Sequence, residues 1–184
     1  YYNSVKSAMA ENLKRKFELC EEAEALMNSE EWKKTADKII LLQKKWKEIG
    51  PTTRRRSDDV WKRFRKACDT FFERRNSHYE EERLKYEENI RLKKELLAEL
   101  QNFEIKDDKT ENISAMRAFR ERWNAIGFVP SKERGKLQSE YDRLADAKFN
   151  DIRSAENSKA LNRFKKTTTD IKSSGKGSRS LWYE

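Results

Sequence analysis

Few residues of this 184-residue chain are spaced for covalent chemistry. The single histidine, His78, stands beside Tyr79 and Glu80 in a polar stretch and reads as a solvated side chain. A metal site needs several His, Cys or acidic ligands at suitable spacing, and the sequence spells out none. Cys20 and Cys68 lie among apolar residues at helical spacing, with no partner to activate a thiolate. They read as reduced core thiols, too few for a disulfide framework, and fit a cytoplasmic protein. The acids Glu80-Glu81-Glu82 and Glu87-Glu88 fall on long polar faces. A general acid needs a desolvating pocket to move its pKa, and nothing suggests one. Ser174-Gly-Lys-Gly-Ser178 lacks the spacing and the preceding strand of a phosphate loop, so it reads as a flexible tail. The expectation is a non-enzymatic protein with no catalytic residue, metal, cofactor or small-molecule substrate.

Charge offers the stronger lead. The net charge is +9. From Trp32 to Arg75 there are fifteen Lys and Arg against six Asp and Glu, so this segment alone carries +9. The matching stretch 109–153 has ten against seven, or +3. The cations crowd one turn. Lys44, Lys45 and Lys47 close one helical segment, where the helix dipole favours them. Arg54, Arg55 and Arg56 open the next, where the dipole opposes them, and Asp58 and Asp59 offset part of that cost. Backbone N–H groups and guanidinium groups could converge there on an anion. Lys62, Arg65 and Lys66 extend the cluster, and Trp61 is a candidate stacking platform beside it. The bland alternative is a solvated face of a highly charged protein.

The elements that carry these residues must be helices. Charged residues make up 41% of the chain, and hydrophobic ones only 35%. That balance leans towards disorder, yet there are five Trp, six Tyr and nine Phe. Thin aromatic cores inside long charged helices reconcile the two. Gly and Pro are absent between Pro51 and Gly127, which excludes the many turns of a β or α/β fold. No apolar run approaches a membrane span. The chain begins at Tyr1-Tyr2 and reads as part of something longer.

An internal repeat organises the whole. Trp46-Lys-Glu-Ile49-Gly50 recurs as Trp123-Asn-Ala-Ile126-Gly127, an offset of 77. The same offset pairs Asn12 with Asn89, Lys16 with Lys93, Leu19 with Leu96, Phe64 with Tyr141 and Phe72 with Phe149, without a gap from about 11 to about 152. Each unit reads as three helices. In the first, helix A covers about 5–27, helix B about 30–49 with Ser29 as N-cap, and helix C starts between Thr53 and Ser57. Trp32, Ile39 and Trp46 form a heptad stripe on helix B, and Gly50-Pro51 stops it, with glycine just past the helix end. The second unit ends its helix B at Gly127 and restarts at Ser131 after Pro130. Between the units, Asn76 to Asn89 is polar, with Tyr79, Leu84 and Tyr86 its only residues to bury. It contains no breaker, so a single helix from about 55 to about 103 is expected, with a break near Asn76-Ser77 as the alternative. The expected fold is all-α and elongated: tandem three-helix bundles over 5–76 and 77–153 joined by a long continuous helix. Residues 154–184 then form a helical extension and, from Thr167, a flexible tail. Ser180-Leu-Trp182 echoes Ser29-Glu-Glu-Trp32, so this end reads as a truncated third repeat. Trp32, Trp46, Phe64, Trp123 and Tyr141 read as core.

Trp46-Lys-Glu-Ile-Gly-Pro51, Val60-Trp-Lys-Arg-Phe64, Ala67-Cys-Asp69 and Phe71-Phe72 together resemble the bacterial repeat family known as domain of unknown function 349. The resemblance covers both units, roughly 11–153. The second departs at Phe128, Gln138 and Lys148, where the first has Pro51, Trp61 and Phe71. It implies a tandem helical repeat and carries over no catalytic residue. Two functions stay open. One is a binding module that docks its basic turn on a polyanion: RNA, DNA or a ribonucleoprotein. The other is a protein–protein scaffold or rigid helical spacer, with a protein partner or self-association and no nucleic-acid role.

Overall fold

The computed structural model describes residues 1–177. Five helices follow in order: α1 (Tyr2–Leu26), α2 (Trp32–Glu48), α3 (Arg54–Asn102), α4 (Lys109–Ala125) and α5 (Ser131–Gly177). The described residues include no strand. The chain divides into two compact units, Tyr1–Arg83 and a second beginning at Leu84.

In the first unit α1, α2 and the front of α3 enclose one core. Ile39, Leu42 and Trp46 of α2 meet Val60, Phe64, Ala67 and Phe71 of α3, with Leu19, Cys20 and Ala23 of α1 closing the third side. Each large side chain buried this way stabilises the fold by roughly 1.5–3 kcal/mol. The Trp46 and Phe64 rings stack at 4.4 Å. Trp32 is only half-buried, at the core's margin. The second core repeats the scheme with Leu96, Leu97 and Leu100 of α3, Met116, Phe119 and Trp123 of α4, and Leu137, Tyr141 and Leu144 of α5. Trp123 stacks on Tyr141 at 4.6 Å, and those two positions are the counterparts of Trp46 and Phe64.

α3 runs unbroken through Asn76–Asn89. Its polar middle is laced by pairs one turn apart, including Arg83–Glu80 at 2.6 Å and His78–Glu82 at 3.5 Å. Such pairs suit a helix that lacks apolar cover. Tyr79 and Leu84 are exposed, whereas Tyr86 meets the Phe128 ring at 5.1 Å.

Four expectations change. α2 begins at Trp32, and its N-cap is Glu31 rather than Ser29. The Ser29 hydroxyl still accepts the Glu31 N–H at 3.2 Å, in a turn ahead of the helix. Next, neither Gly50 nor Gly127 has a positive φ. The residue after α2 is Ile49 in an extended conformation, so the chain leaves the helix without a left-handed step. Each glycine is required by a close approach instead: a Cβ on Gly50 would lie 2.9 Å from Asn12 Nδ2, and one on Gly127 2.9 Å from Asn89 Nδ2. Third, the composition change at Thr167 does not end α5, which continues to Gly177. Thr167, Thr168 and Thr169 return their hydroxyls to carbonyls four residues back, a local bond that lets such residues stay helical. Ser178 and the Ser180-Leu-Trp182 echo lie outside the described residues. Finally, His78 is not simply solvated. Its ring stacks on Trp32 at 4.9 Å.

Candidate polyanion interface

The basic turn is built by a stop and a restart. Asn12 of α1 donates its amide to the Pro51 carbonyl at 3.0 Å, holding the linker against the unit. Thr52 is buried beside it. α3 then starts at Arg54, and the Thr53 carbonyl accepts from the N–H groups of Arg56 and Ser57. The three arginines therefore occupy the first helical turn, which contains no acid. Lys45 and Lys47 lie in the last turn of α2.

All nine sequence-predicted cations are exposed: Lys44, Lys45, Lys47, Arg54, Arg55, Arg56, Lys62, Arg65 and Lys66. Among the described residues only Arg65 is paired, with Asp69 at 3.4 Å. Some arginines elsewhere are clasped: Arg63 by Glu24, Arg122 by Glu99 and Arg143 by Glu140, each at 2.6 Å. The Arg63 clasp is bidentate, and it holds the Glu24 carboxyl below its usual range. Eight of the nine cations around the α2–α3 turn are therefore without an ion pair among the described residues.

The cations are spread over more than one face of the turn. Successive helical residues point about 100° apart, and the structure divides them accordingly. Arg55 and Arg56 line a cleft of about 540 Å³ with Phe17, Asp59, Val60 and Arg63, on the α1 side. Lys47, Trp61 and Arg65 line a groove of about 410 Å³ on the α2 side, floored by Trp46, Phe64 and Cys68. Lys44, Lys45, Arg54, Lys62 and Lys66 line neither. This is a broad cationic surface with an aromatic groove at one flank. It suits an extended polyanion better than one small anion.

Trp61 is 45% exposed, its ring 5.7 Å from Trp46 and 6.3 Å from Phe64. Gln138, its counterpart, accepts the Trp123 indole N–H at 3.0 Å and donates to Asp142 at 3.0 Å. Among the described residues no group accepts the Trp46 indole N–H. Lys16 sits 5.1 Å above the Trp46 ring and Lys93 4.2 Å above Trp123. The repeat had paired these lysines without giving them a role. They shield the outer faces of the core indoles as cation–π partners.

Cys20 and Cys68 are buried, and burial pushes both thiols up to about 11. Among the described residues no three His, Cys or acidic side chains are grouped to hold a metal ion, and no helix is long and apolar enough to cross a membrane.

No curated protein and no solved structure matches the chain. A family model described as Domain of Unknown Function (DUF349) matches residues 1–55 and 59–132. Each match spans a first helix, a shorter second helix and the glycine turn that follows. The first holds α1 and α2, and the second nearly all of α3 together with α4. Well over half of the chain is thus matched, in two tandem copies, and the protein belongs to the DUF349 family.

Proposed function

We propose that the protein is a non-enzymatic helical-repeat module that docks the surface around its α2–α3 turn on a polyanion, a nucleic acid or a ribonucleoprotein. The observation that carries this reading is the unpaired charge: among the described residues, eight of the nine cations there have no ion pair. Lys and Arg left free of carboxylates are available to phosphates, and their engagement releases counterions. The test is fluorescence anisotropy with labelled RNA and duplex DNA over a salt series. The wild type should bind with log affinity falling linearly in log salt. Replacing Arg54, Arg55 and Arg56 together by Glu should abolish binding. Salt-independent or undetectable binding to both ligands sinks the proposal.

A second reading, a scaffold for protein partners, has its own support. Leu161, Phe164 and Ile171 on the far part of α5 are 53%, 69% and 66% exposed, an apolar row on an otherwise charged helix. Exposed rows of this kind mark protein contacts. Affinity purification that returns one stoichiometric partner, insensitive to nuclease and lost in Leu161→Glu/Phe164→Glu, favours the scaffold over the polyanion.

A further inference from the structure

The groove between α2 and α3 recurs between α4 and α5, and the two copies differ where ligand chemistry would be decided. In the second unit it holds about 470 Å³ and is lined by Arg120, Trp123, Asn124, Gln138, Tyr141 and Asp142, among others. At the corresponding positions the first unit has Gln43, Trp46, Lys47, Trp61, Phe64 and Arg65. Four changes stand out. Arg120, which with Arg117 gives the second groove cations of its own, is replaced by the neutral Gln43. Gln138, which ties the Trp123 indole N–H to Asp142, is replaced by a second indole. Asn124 is replaced by a lysine and Asp142 by an arginine. Each groove carries a carboxylate on its rim, Asp142 in the second and Asp69 in the first, where it pairs with Arg65 at 3.4 Å. The first has a half-exposed indole and, among the described residues, an indole N–H without an acceptor, with Lys47 and Arg65 beside them.

We infer that the first groove is a site for an unstacked nucleobase of a single-stranded nucleic acid, stacked on Trp61 while Lys47 and Arg65 meet the phosphates on either side. The inference rests on the polyanion reading and narrows it from any polyanion to a single strand. Physical chemistry favours this occupant over a duplex. An indole face is worth reaching only for a base that is out of its helix, and base–aromatic stacking is indifferent to sequence. The surrounding cations complement a phosphate backbone, whereas a neutral apolar peptide would leave them unused. The cavity, about 410 Å³, lies within the roughly 300–1,000 Å³ of small-ligand sites. The Trp46 N–H offers a donor to a base carbonyl or ring nitrogen at the floor.

The second unit also supplies the test variant, because Gln138 shows that glutamine at this position is compatible with the fold. Trp61→Gln removes the stacking face and gives Trp46 the acceptor that Trp123 has. Trp61→Tyr keeps a stacking face. Four probes are titrated into the full chain by anisotropy or competition: labelled oligouridylate, labelled oligothymidylate, a duplex of the same length, and heparin. Thermal melts confirm folding of each variant. Trp61→Gln should weaken the single strands by roughly tenfold or more, from the loss of one stacked base. Duplex and heparin affinities should stay unchanged, and Trp61→Tyr should recover most of the loss. A folded Trp61→Gln protein that binds single strands like the wild type overturns the inference and leaves the polyanion reading standing. Wild-type protein that binds none of the four probes overturns both.

Discussion

Asn12 donates its side-chain amide to the backbone carbonyl of Pro51 at 3.0 Å, and the glycine before that proline owes its place to this bond. The contact recurs as Asn89 to the Phe128 carbonyl at 2.8 Å, again thirty-nine residues apart. Because the acceptor is a backbone oxygen, proline and phenylalanine serve equally, which explains why the second unit tolerates Phe128. A Cβ at Gly50 or Gly127 would lie 2.9 Å from the amide, so a side chain there must displace it. Asparagine and glycine form one device, which fixes where the chain turns after each second helix and so where the basic turn is presented.

This device predicts a non-additive pair of substitutions. Asn12→Ala should destabilise the protein by about 1 kcal/mol, the usual net worth of a hydrogen bond. Gly50→Ala should cost a similar amount, because its methyl group displaces the amide and breaks the same bond. In the Asn12→Ala background the methyl group has room. Since Gly50 has no positive φ, Gly50→Ala should there be neutral or stabilising by a few tenths of a kcal/mol, through the unfolded chain. Urea melts of the four proteins give the coupling energy. Additive costs would remove the device.

The contrast between the two glycine explanations shows what the sequence could reveal. The 77-residue register, the restarts at Arg54 and Ser131, and the pairing of Trp46 with Trp123 follow from periodicity and breakers, which are local signals. The reason for Gly50 is tertiary, since it depends on an amide thirty-eight positions earlier, and a glycine after a helix suggests a left-handed cap by default. The stacking of His78 on Trp32 was hidden for the same cause: the polar neighbours of His78 say nothing about a ring on α2. At the candidate site the cations and the exposure of Trp61 were legible. Their division between two flanks of α3 was legible only in principle, by counting 100° steps from Arg54. The groove was not, because Gln43, Trp46 and Lys47 of its lining come from α2. Residues 167–177 misled because Thr and Ser read as loop formers, although their hydroxyls can bond back to the helix.

The core thiols make a pH prediction. Cys20 and Cys68 are 0% and 2% exposed, and burial raises both from an ordinary 9.0 to about 11. Folded protein should therefore resist alkylation at pH 8, and both thiols should react in urea. The linkage sign follows. A raised folded pKa means that the folded state holds its proton more tightly, so this contribution to stability is complete below about 9 and is lost as the pH rises towards about 11. Melting temperature should fall across that window, and less steeply in Cys20→Ala/Cys68→Ala. Rapid alkylation of the folded protein at pH 8 would contradict the burial.

The opposite sign applies to Glu24. The Arg63 guanidinium, hydrogen-bonded to it, holds this carboxyl below its ordinary 4.5. Its contribution is present above the ordinary carboxylate pKa and is lost as the pH falls through the lowered value. The pair is partly exposed, with side chains 35% and 40% accessible, so the effect should be small and reduced by salt. Chemical denaturation between pH 6 and pH 3 should show a shallower loss of stability in Glu24→Gln than in the wild type, at low salt only. A difference that persists unchanged in molar salt would assign the loss to something other than this ion pair.

Lys148 replaces the buried Phe71 of the first unit, and the structure gives it a different task. Its ammonium donates to the carbonyls of Gln101 and Phe103 at 3.0 and 2.7 Å, at the end of α3, where carbonyls lack helical partners. In the first unit Arg74 does the same for α1, donating to the Met27 carbonyl at 2.8 Å and the Ser29 carbonyl at 3.2 Å. The two units thus cap equivalent helix ends from different positions on the third helix. Lys148→Met keeps the aliphatic stem and removes the donors. It should cost about 0.5–1 kcal/mol, the worth of a cation at a helix C-terminus. The damage should be local: amide exchange should quicken in the last turn of α3 and the 103–107 linker, with the α4–α5 core amides unchanged. Arg74→Met should do the same to the last turn of α1 and residues 27–31. Uniformly faster exchange through either unit would mean that these side chains support the core rather than the helix ends.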